Sequence, residues 1–395
     1  MRTIYKYLIS SMLFSSLLFA QSQPDSLTVQ DAVYDRPFIS LGQTATAIGG
    51  YLEGNTNYFS EDGVSEGFSM EMRRFNIFLY STIIPRVKFL AELEFEHGTE
   101  EIALETAQVD FEFNPALVFR AGVILVPIGA YNQNHDSPKW DFVERPLVST
   151  QIIPSTLSDV GFGLNGKLFS NSLMFTYDAY IVNGLSDGII LNEEGRTFLQ
   201  SGKSEDVLGE DNNGSPSVTG RVAARYRNLG EIGLSYYRGI YNSYRVEGEQ
   251  VEEKRNVRIF AIDFNSEILK VKINGEFAFN SIDVPADIAE IYGEKQWGGY
   301  VEILYPLLRR KLFGFENASL NAGVRLERVD YNDGTFSTTG ENIFDDVNAL
   351  AFSLAYRPSE NTVLRANYRH HWIRDNLGNP AVKSAGFQFG IATYF

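Results

Sequence analysis

Cysteine is absent from the 395-residue chain. A disulfide framework, a thiolate metal site and a cysteine nucleophile are therefore excluded. No stretch reaches 18 consecutive apolar residues, so no helix of the chain is expected to span a bilayer. Positive charge is in short supply: 34 Lys and Arg stand against 50 Asp and Glu, a formal net charge of −16. Phosphate backbones need a basic face, so nucleic acid is not expected as a partner. A Gly-rich phosphate loop, a nucleophile elbow and a dinucleotide fingerprint are all missing, and no cofactor is expected. Only four histidines occur. A strand would point the neighbours His370 and His371 to opposite faces, and His97 and His135 stand alone, so no spacing supports a metal site. "EDNNG" and "DYNDG" lack the ordered ligand spacing of a calcium loop and read as solvated turns.

Aromatic residues, by contrast, are plentiful. They reach 13 %, with 21 Tyr and 29 Phe, which leans the chain towards β structure. The N-terminus places Arg2 and Lys6 before an apolar run from Leu8 to Phe19, too short to span and followed by Ala20 and Ser22. This is the layout of a secretory signal peptide, expected over residues 1–22 and removed on export after Ala20 or Ser22. Residues 23–48 read as a short polar periplasmic leader, and residues 49–395 as one β domain.

That domain repeats one pattern. Segments of roughly ten residues alternate apolar and polar in period two, separated by turn signals. Examples are Val87–Glu96, Ile102–Phe113, Leu117–Val126, Val218–Arg227, Thr362–Arg374 and Lys383–Phe395; about 16 strands are expected in all. Tight links such as Ile84-Pro85-Arg86, Asn114-Pro115 and Ser170-Asn171 take turns with long polar ones: Ser60–Gly67, Pro127–Asp159, Asn183–Ser217, Gly239–Asn256, Val284–Gln296, Asn332–Asp346 and Asp375–Val382. Pro306–Asn317 is a short-class link of unusual length. Short and long turns in alternation describe an up-and-down antiparallel sheet with all short turns at one end. The fold class expected is therefore all-β: a transmembrane antiparallel up-and-down β-barrel, in the Gram-negative outer membrane.

The two faces of each strand carry the second half of that expectation. In Val87–Glu96, Val87, Phe89, Ala91, Leu93 and Phe95 oppose Lys88, Glu92 and Glu94. In Val218–Arg227, Val222, Ala224 and Tyr226 oppose Arg221, Arg225 and Arg227. A small closed core could not hold so many charges unpaired, whereas a wet lumen behind a lipid-facing wall accommodates both faces. A secreted sandwich or propeller is the alternative, without a blade-length repeat to support it. By strand parity the basic lumen set is Arg74, Lys88, Arg120, Lys167, Arg221, Arg225, Lys272, Arg325, Arg365 and Arg369. The acidic set is Glu92, Glu94, Asp110, Glu112, Asp178, Asp263, Glu276, Glu302 and Glu327. These charges either set up a transverse field across a pore or pair locally and keep the lumen wet. Glu92, Glu94 and Glu96 could also be read as a glycosidase carboxylate set; the same period puts them on the wet face, and no enzymatic activity is expected.

The last segment, "KSAGFQFGIATYF", puts Phe387, Phe389, Ile391 and Phe395 on one face and closes the chain on an aromatic. Bacterial outer-membrane proteins resemble this ending, which in that class is the signal read by the barrel-assembly machinery. Phe395 is therefore expected to serve assembly. Further upstream, "KFLAELEFEHG", "ALETAQVDFEFNPALVFRAGVILVPIGAYNQNHDSPKWDFVERPLV" and "GFGLNGKLF" resemble the N-terminal half of the phosphate-selective porin O and P family, over roughly Gly50–Phe169. The resemblance implies a homotrimeric channel for small polar or anionic solutes, embedded in outer-membrane lipid. It also implies that residues 127–159 fold inward as a constriction, with Pro127, Gly129, Tyr131, His135, Asp136, Lys139 and Arg145 along it. Residue-level reading agrees in direction: a wide barrel leaves an aqueous channel that a loop can narrow, and Pro127, Pro138, Pro146 and Pro154 stiffen this one. A loop standing above the membrane is the alternative, as is a plugged barrel without open-channel activity. The loop itself offers only Lys139 and Arg145 against Asp136, Asp141, Glu144 and Asp159, so weak selectivity is expected in place of a dedicated phosphate site.

Overall fold

The computed structural model describes residues 27–40, 45–98, 100–203, 208–211, 213–227 and 229–395. The expected signal peptide, residues 1–22, lies outside the described residues. Sixteen long strands dominate: β1 Thr46–Glu61, β2 Val64–Ile84, β3 Val87–Glu96, β4 Glu101–Asn114, β5 Leu117–Leu125, β6 Ser158–Ser170, β7 Leu173–Val182, β8 Ser217–Tyr226, β9 Gly230–Ile240, β10 Asn256–Ile268, β11 Val271–Ile282, β12 Lys295–Arg309, β13 Ser319–Asp330, β14 Asp346–Ser359, β15 Thr362–Arg374 and β16 Val382–Tyr394. Each pairs antiparallel with its sequence neighbour, and β16 returns to β1, setting Tyr394 opposite Tyr51 and Phe387 opposite Tyr58. The sheet is thus a closed barrel with no free edge, which satisfies every strand's backbone groups without water. Among the described residues, no helix is long and apolar enough to cross a membrane.

The alternation explains both faces of the wall. Leu93, Phe111, Phe387, Phe389, Phe352 and Leu354 are exposed on the outside, with Phe89 and Phe119 partly so. Leaving a large apolar side chain in water forgoes about 1.5–3 kcal/mol each, so this belt fits a hydrocarbon environment. The inner face is polar and buried along β1–β5 and β12–β16. Along β7–β11 its long-loop half turns apolar: Tyr180, Val182, Val257, Ile259, Ala261, Ala278 and Ile282 form one core with Ile124, Val126, Val148, Ile152, Ile153 and Leu157. Those last residues bracket or belong to the long β5–β6 connection, so the apolar wall has a loop to pack against.

Two expected links differ. Ser60–Gly67 is not a long polar loop. Asp62 and Gly63 form a two-residue turn with φ of 45° and 87°, the pairing of a tight hairpin in which Asp-Gly is favoured. The polar residues around it continue the ladder beyond the wall, because backbone pairing tolerates solvated side chains. Likewise Pro306 lies inside β12, where the register shifts between Pro306 and Leu308; such an irregularity is where a strand tolerates a residue without an N–H.

Candidate functional site: a charged waist inside the barrel

Charges on the inner wall are organised as local pairs. Arg120 chelates Asp110 on the adjacent strand with two bonds of 2.8 Å. Arg221 reaches Asp263 at 2.9 and 2.6 Å and Glu231 at 2.9 Å. Arg325 holds one Glu302 oxygen at 3.0 and 2.8 Å. Arg74 bonds Glu53 at 3.0 Å and touches Glu96, with Glu94 at 3.5 Å. Arg365 reaches the other Glu53 oxygen at 3.1 Å. Arg369 faces Glu144 and Glu327 at 4.0 Å, Arg225 lies 3.9 Å from Glu231, and Lys88 pairs with Glu112 at 2.5 Å. Lys167 pairs with Asp31. Glu92 and Glu94 both accept from Asn76, at 2.7 and 2.9 Å. Bidentate geometry and burial make such pairs structural, because removing one partner strands the other in a poorly solvating interior.

The long β5–β6 connection crosses the bore. It begins with a short helix, α1 Gly129–Gln133. Gly129 has φ 68°, and a Cβ there would meet the Glu276 carboxylate at 2.3 Å, so only glycine lets the turn approach the wall. Gly129 N donates to Ser235 at 3.1 Å and Tyr131 N to Glu276 at 3.0 Å. Farther along, Ser149 donates to Glu276 at 3.0 Å, Leu147 N to Glu327 at 2.6 Å and Val143 N to Asn367 at 2.5 Å. From the wall, Arg325 donates to Glu144 O at 2.9 Å, Arg365 to Phe142 O at 2.8 Å and Arg357 to the Asp141 carboxylate at 2.7 Å. The loop therefore meets β9, β11, β13, β14 and β15. Tyr131 stacks on Trp140 with ring centroids 4.7 Å apart, and Phe142 lies 4.1 Å under the Arg325 guanidinium. Pro127, two residues before α1, is buried.

The described part of the leader, Leu27–Ser40, lies against the inner wall instead of trailing from it. Val29 N donates to Glu231 at 3.2 Å, Gln30 to Tyr177 O at 2.9 Å and Tyr34 to Asp110 at 2.6 Å. Val33 packs on Leu90 and Leu125. Arg36 makes two bonds to Asp136, at 2.8 and 2.7 Å, and reaches Glu92 at 2.9 Å. Lys139 Nζ donates to Ala32 O at 2.9 Å. Burial works against charge on Asp136, but Arg36 and Lys139 outweigh it and hold its carboxyl well below the usual range. Glu144 is held low in the same way, by Arg73 at 2.6 Å and by Gln388 against the cost of burial.

Cavities flank the loop. One of about 760 Å³ lies at the short-turn end, with Lys139, Arg225, Lys272, Arg357, Asp141 and Glu302 in its lining. Another of about 520 Å³ lies at the long-loop end, lined by Arg73, Arg74, Arg145, Lys203, Arg369 and five glutamates. A third, of about 10 Å³, lies beside the loop at the barrel's waist, among Glu53, Arg74, Tyr131, His135, Trp140, Phe142, Glu144, Arg145 and Arg365, room for about one water; it shares Arg74, Glu144 and Arg145 with the long-loop cavity and Trp140 with the other. Arg145 is the least satisfied cation there. Its nearest hydrogen bond is to Thr156 at 3.3 Å, and its buried Nη2 has no partner among the described residues.

Several charged residues of the lumen escape a period-two reading. The β1–β2 register steps from Glu53↔Arg74 to Gly54↔Met72, leaving Arg73 as an extra residue that turns inward to Glu144. The β3–β4 register steps from Glu92↔Thr106 to Leu93↔Leu104, leaving Glu105 as another. Each bulge adds one charge to the lumen at a position where alternation assigns the opposite face. Arg36 was hidden differently, in a leader without periodicity. Phe395, at the far end of the sequence, stacks on Phe75 at 5.6 Å, and its N–H donates to Gly50 O at 3.0 Å.

No protein-family model matches the chain. An uncharacterized protein of Aquifex aeolicus (strain VF5) is 25 % identical over 386 residues, covering 89 % of this chain and 83 % of that protein. Among solved structures, the outer membrane channel DcaP of Acinetobacter baumannii superposes with a TM-score of 0.58 at 11 % identity, over 91 % of this chain and 100 % of that one. The anion-selective porin from Comamonas acidovorans gives 0.56 at 13 % identity, over 89 % and 100 %. What this chain shares with them is the fold, and that fold is the 16-stranded barrel of outer-membrane porins.

Proposed function

We propose that the chain is an outer-membrane porin that passes small polar solutes by diffusion through its lumen. The observation that carries this reading is the pair of charged cavities at opposite ends of one barrel, on either side of the inserted loop. Water and small polar solutes need a polar lining, and both cavities have one. The loop of residues 127–159 is the constriction, and Arg145 is the cation best placed to meet a passing anion. Around it, cations and carboxylates are nearly balanced and paired with each other. A pore with such a lining favours small anions over cations, or the reverse, by less than ~1.4 kcal/mol, about tenfold. The signal peptide, Phe395 and the lipid-facing belt support export and assembly into a Gram-negative outer membrane, and the homotrimer implied by the sequence resemblance belongs to the same reading.

One observation favours a second reading. The cavity at the waist holds about one water, and Arg36 ties the leader to the loop through Asp136. A barrel closed at rest, opening only when the leader or the loop moves, fits that geometry. Planar bilayers separate the two. Steady ohmic steps from the purified protein support an open porin; silent insertion that turns conducting on removal of residues 27–38 supports the closed barrel; silence in both removes channel function altogether.

A further inference from the structure

We infer that Glu92, Glu105 and His135 form a binding site for a divalent transition-metal cation of the zinc type, clamped between the barrel wall and the inserted loop. One donor atom from each residue lies within 4.8 Å of the other two, and all three side chains are buried. They come from three places: Glu92 from β3, Glu105 from the β4 bulge, His135 from the loop. Without the bulge Glu105 would face the opposite side of the wall. The donor set, one imidazole and two carboxylates, suits zinc with an open position for a further ligand.

The imidazole gives the second reason. Its Nδ1 lies 3.0 Å from Asn132 O. A carbonyl oxygen only accepts, so Nδ1 carries the proton. In the neutral ring Nε2 then presents a lone pair, and it points at a Glu105 carboxylate oxygen 3.1 Å away. Two acceptors at that distance repel unless a cation, a metal ion or a proton on Nε2, joins them. Metal–nitrogen and metal–oxygen bonds of about 2.0–2.2 Å, at angles between 90° and tetrahedral, place two donors about 2.9–3.4 Å apart. The pair already stands at that bite. An Nδ1–H held by a backbone carbonyl is also the usual way a metal-binding histidine is oriented.

Local charge and access agree. Glu92, Glu105 and Asp136 bring three negative charges, met by Arg36 on Glu92 and Asp136 and by Lys139 3.7 Å from Asp136. Thr106, directly across the ladder from Glu92, has a fully buried hydroxyl without a hydrogen-bond partner. It is a spare oxygen on the same face of the wall. Asn76 steadies the other Glu92 oxygen at 2.7 Å. Glu105 also lines the 520 Å³ cavity, which gives an ion a route in from the long-loop end.

The test uses the full mature chain refolded in detergent without lipopolysaccharide, which itself binds divalent ions, and stripped with EDTA. Zn²⁺ is titrated calorimetrically, and Co²⁺ is followed by its visible absorption. Saturable binding of one ion per chain is expected, with affinity lowered at least about tenfold in His135→Ala and in Glu105→Gln. Glu101→Gln, in the same cavity lining, should bind as the parent does. Heat-modifiable gel migration reports folding; if His135→Ala does not fold, the isosteric Glu105→Gln decides. Absence of saturable binding, or equal binding by both variants, overturns the site and leaves a shared proton between His135 and Glu105.

Discussion

Replacing Arg325 by methionine is the sharpest probe of how the lumen is held. Arg325 is almost fully buried, gives two bonds to one Glu302 oxygen, one to Glu144 O on the loop, and lies over Phe142. Methionine keeps much of the stem's volume but none of the donors. Glu302, itself inaccessible, would be left with only the 2.8 Å bond from Asn274. Stranding a buried carboxylate in this way costs about 3–5 kcal/mol. Removing Glu302 as well, in Arg325→Met/Glu302→Leu, takes away the stranded charge, and the double variant should recover about 2 kcal/mol or more of that loss. Urea unfolding in lipid vesicles, with barrel migration on gels as the readout, measures each corner of the cycle. The loop bond to Glu144 O disappears in both variants, so any change in conductance noise should be common to the two. A coupling energy below about 0.5 kcal/mol would refute the reasoning, because the wall pairs would then be solvated ornaments and not structural units.

Deleting Phe395 removes its stack on Phe75 and its bond to Gly50 at the β1–β16 seam; surface levels of the deletion variant should fall more than those of any single lumen-charge variant, as judged by membrane fractionation. Shortening residues 130–156 while retaining Pro127-Ile128-Gly129 should raise single-channel conductance and admit larger sugars in liposome swelling; unchanged conductance would place the constriction elsewhere. Reversal potentials under a salt gradient should stay within the tenfold limit, and Arg145→Gln should move them towards cations; strong anion selectivity with block by low phosphate would show that the arginines outweigh their carboxylates. Asp136 and Glu144 have carboxyls held below the ordinary range, so their contribution is present above the unfolded value and lost only as pH falls through the lowered one. The Arg36–Asp136 and Arg73–Glu144 anchors of the loop should therefore hold from neutral pH down to about pH 4, where ordinary carboxylates are half protonated, and be lost only in stronger acid; Asp136→Asn should lose the first of them already at pH 7, as protease accessibility of the loop would show.

The barrel was legible because its physics is local. Period two, turn chemistry and a charged face opposite an aromatic one are properties of ten residues at a time, and Arg325 and Glu302 can be set on the inner face from such a window. What could not be read is whatever breaks or outruns the window. An extra residue at Arg73 or Glu105 shifts parity without leaving a mark in composition. The Asp62-Gly63 turn looked like part of a polar loop because its flanking strands extend beyond the wall, where side chains need not be apolar. Arg36 sits in a stretch without periodicity, and its partners are Glu92 and Asp136, a hundred residues on in the second case. The histidine that stood alone in the sequence has neighbours only because the loop that carries it crosses the bore.

Asp136 also has consequences for the order of events during folding. It receives Arg36 from the start of the chain and the Tyr394 hydroxyl, at 2.7 Å, from its final strand. Contacts spanning 100 and 258 residues form late, after the chain entropy of closing such loops has been overcome. Tyr394 reaches its place only when β16 has docked on β1. The lumen loop therefore gains the last of its anchors when the cylinder closes, and a chain stalled before its last strand would carry a loop held by β9–β15 but without the Tyr394 bond. At Asp136 the completion of the wall and the last fastening of its interior meet on one carboxylate.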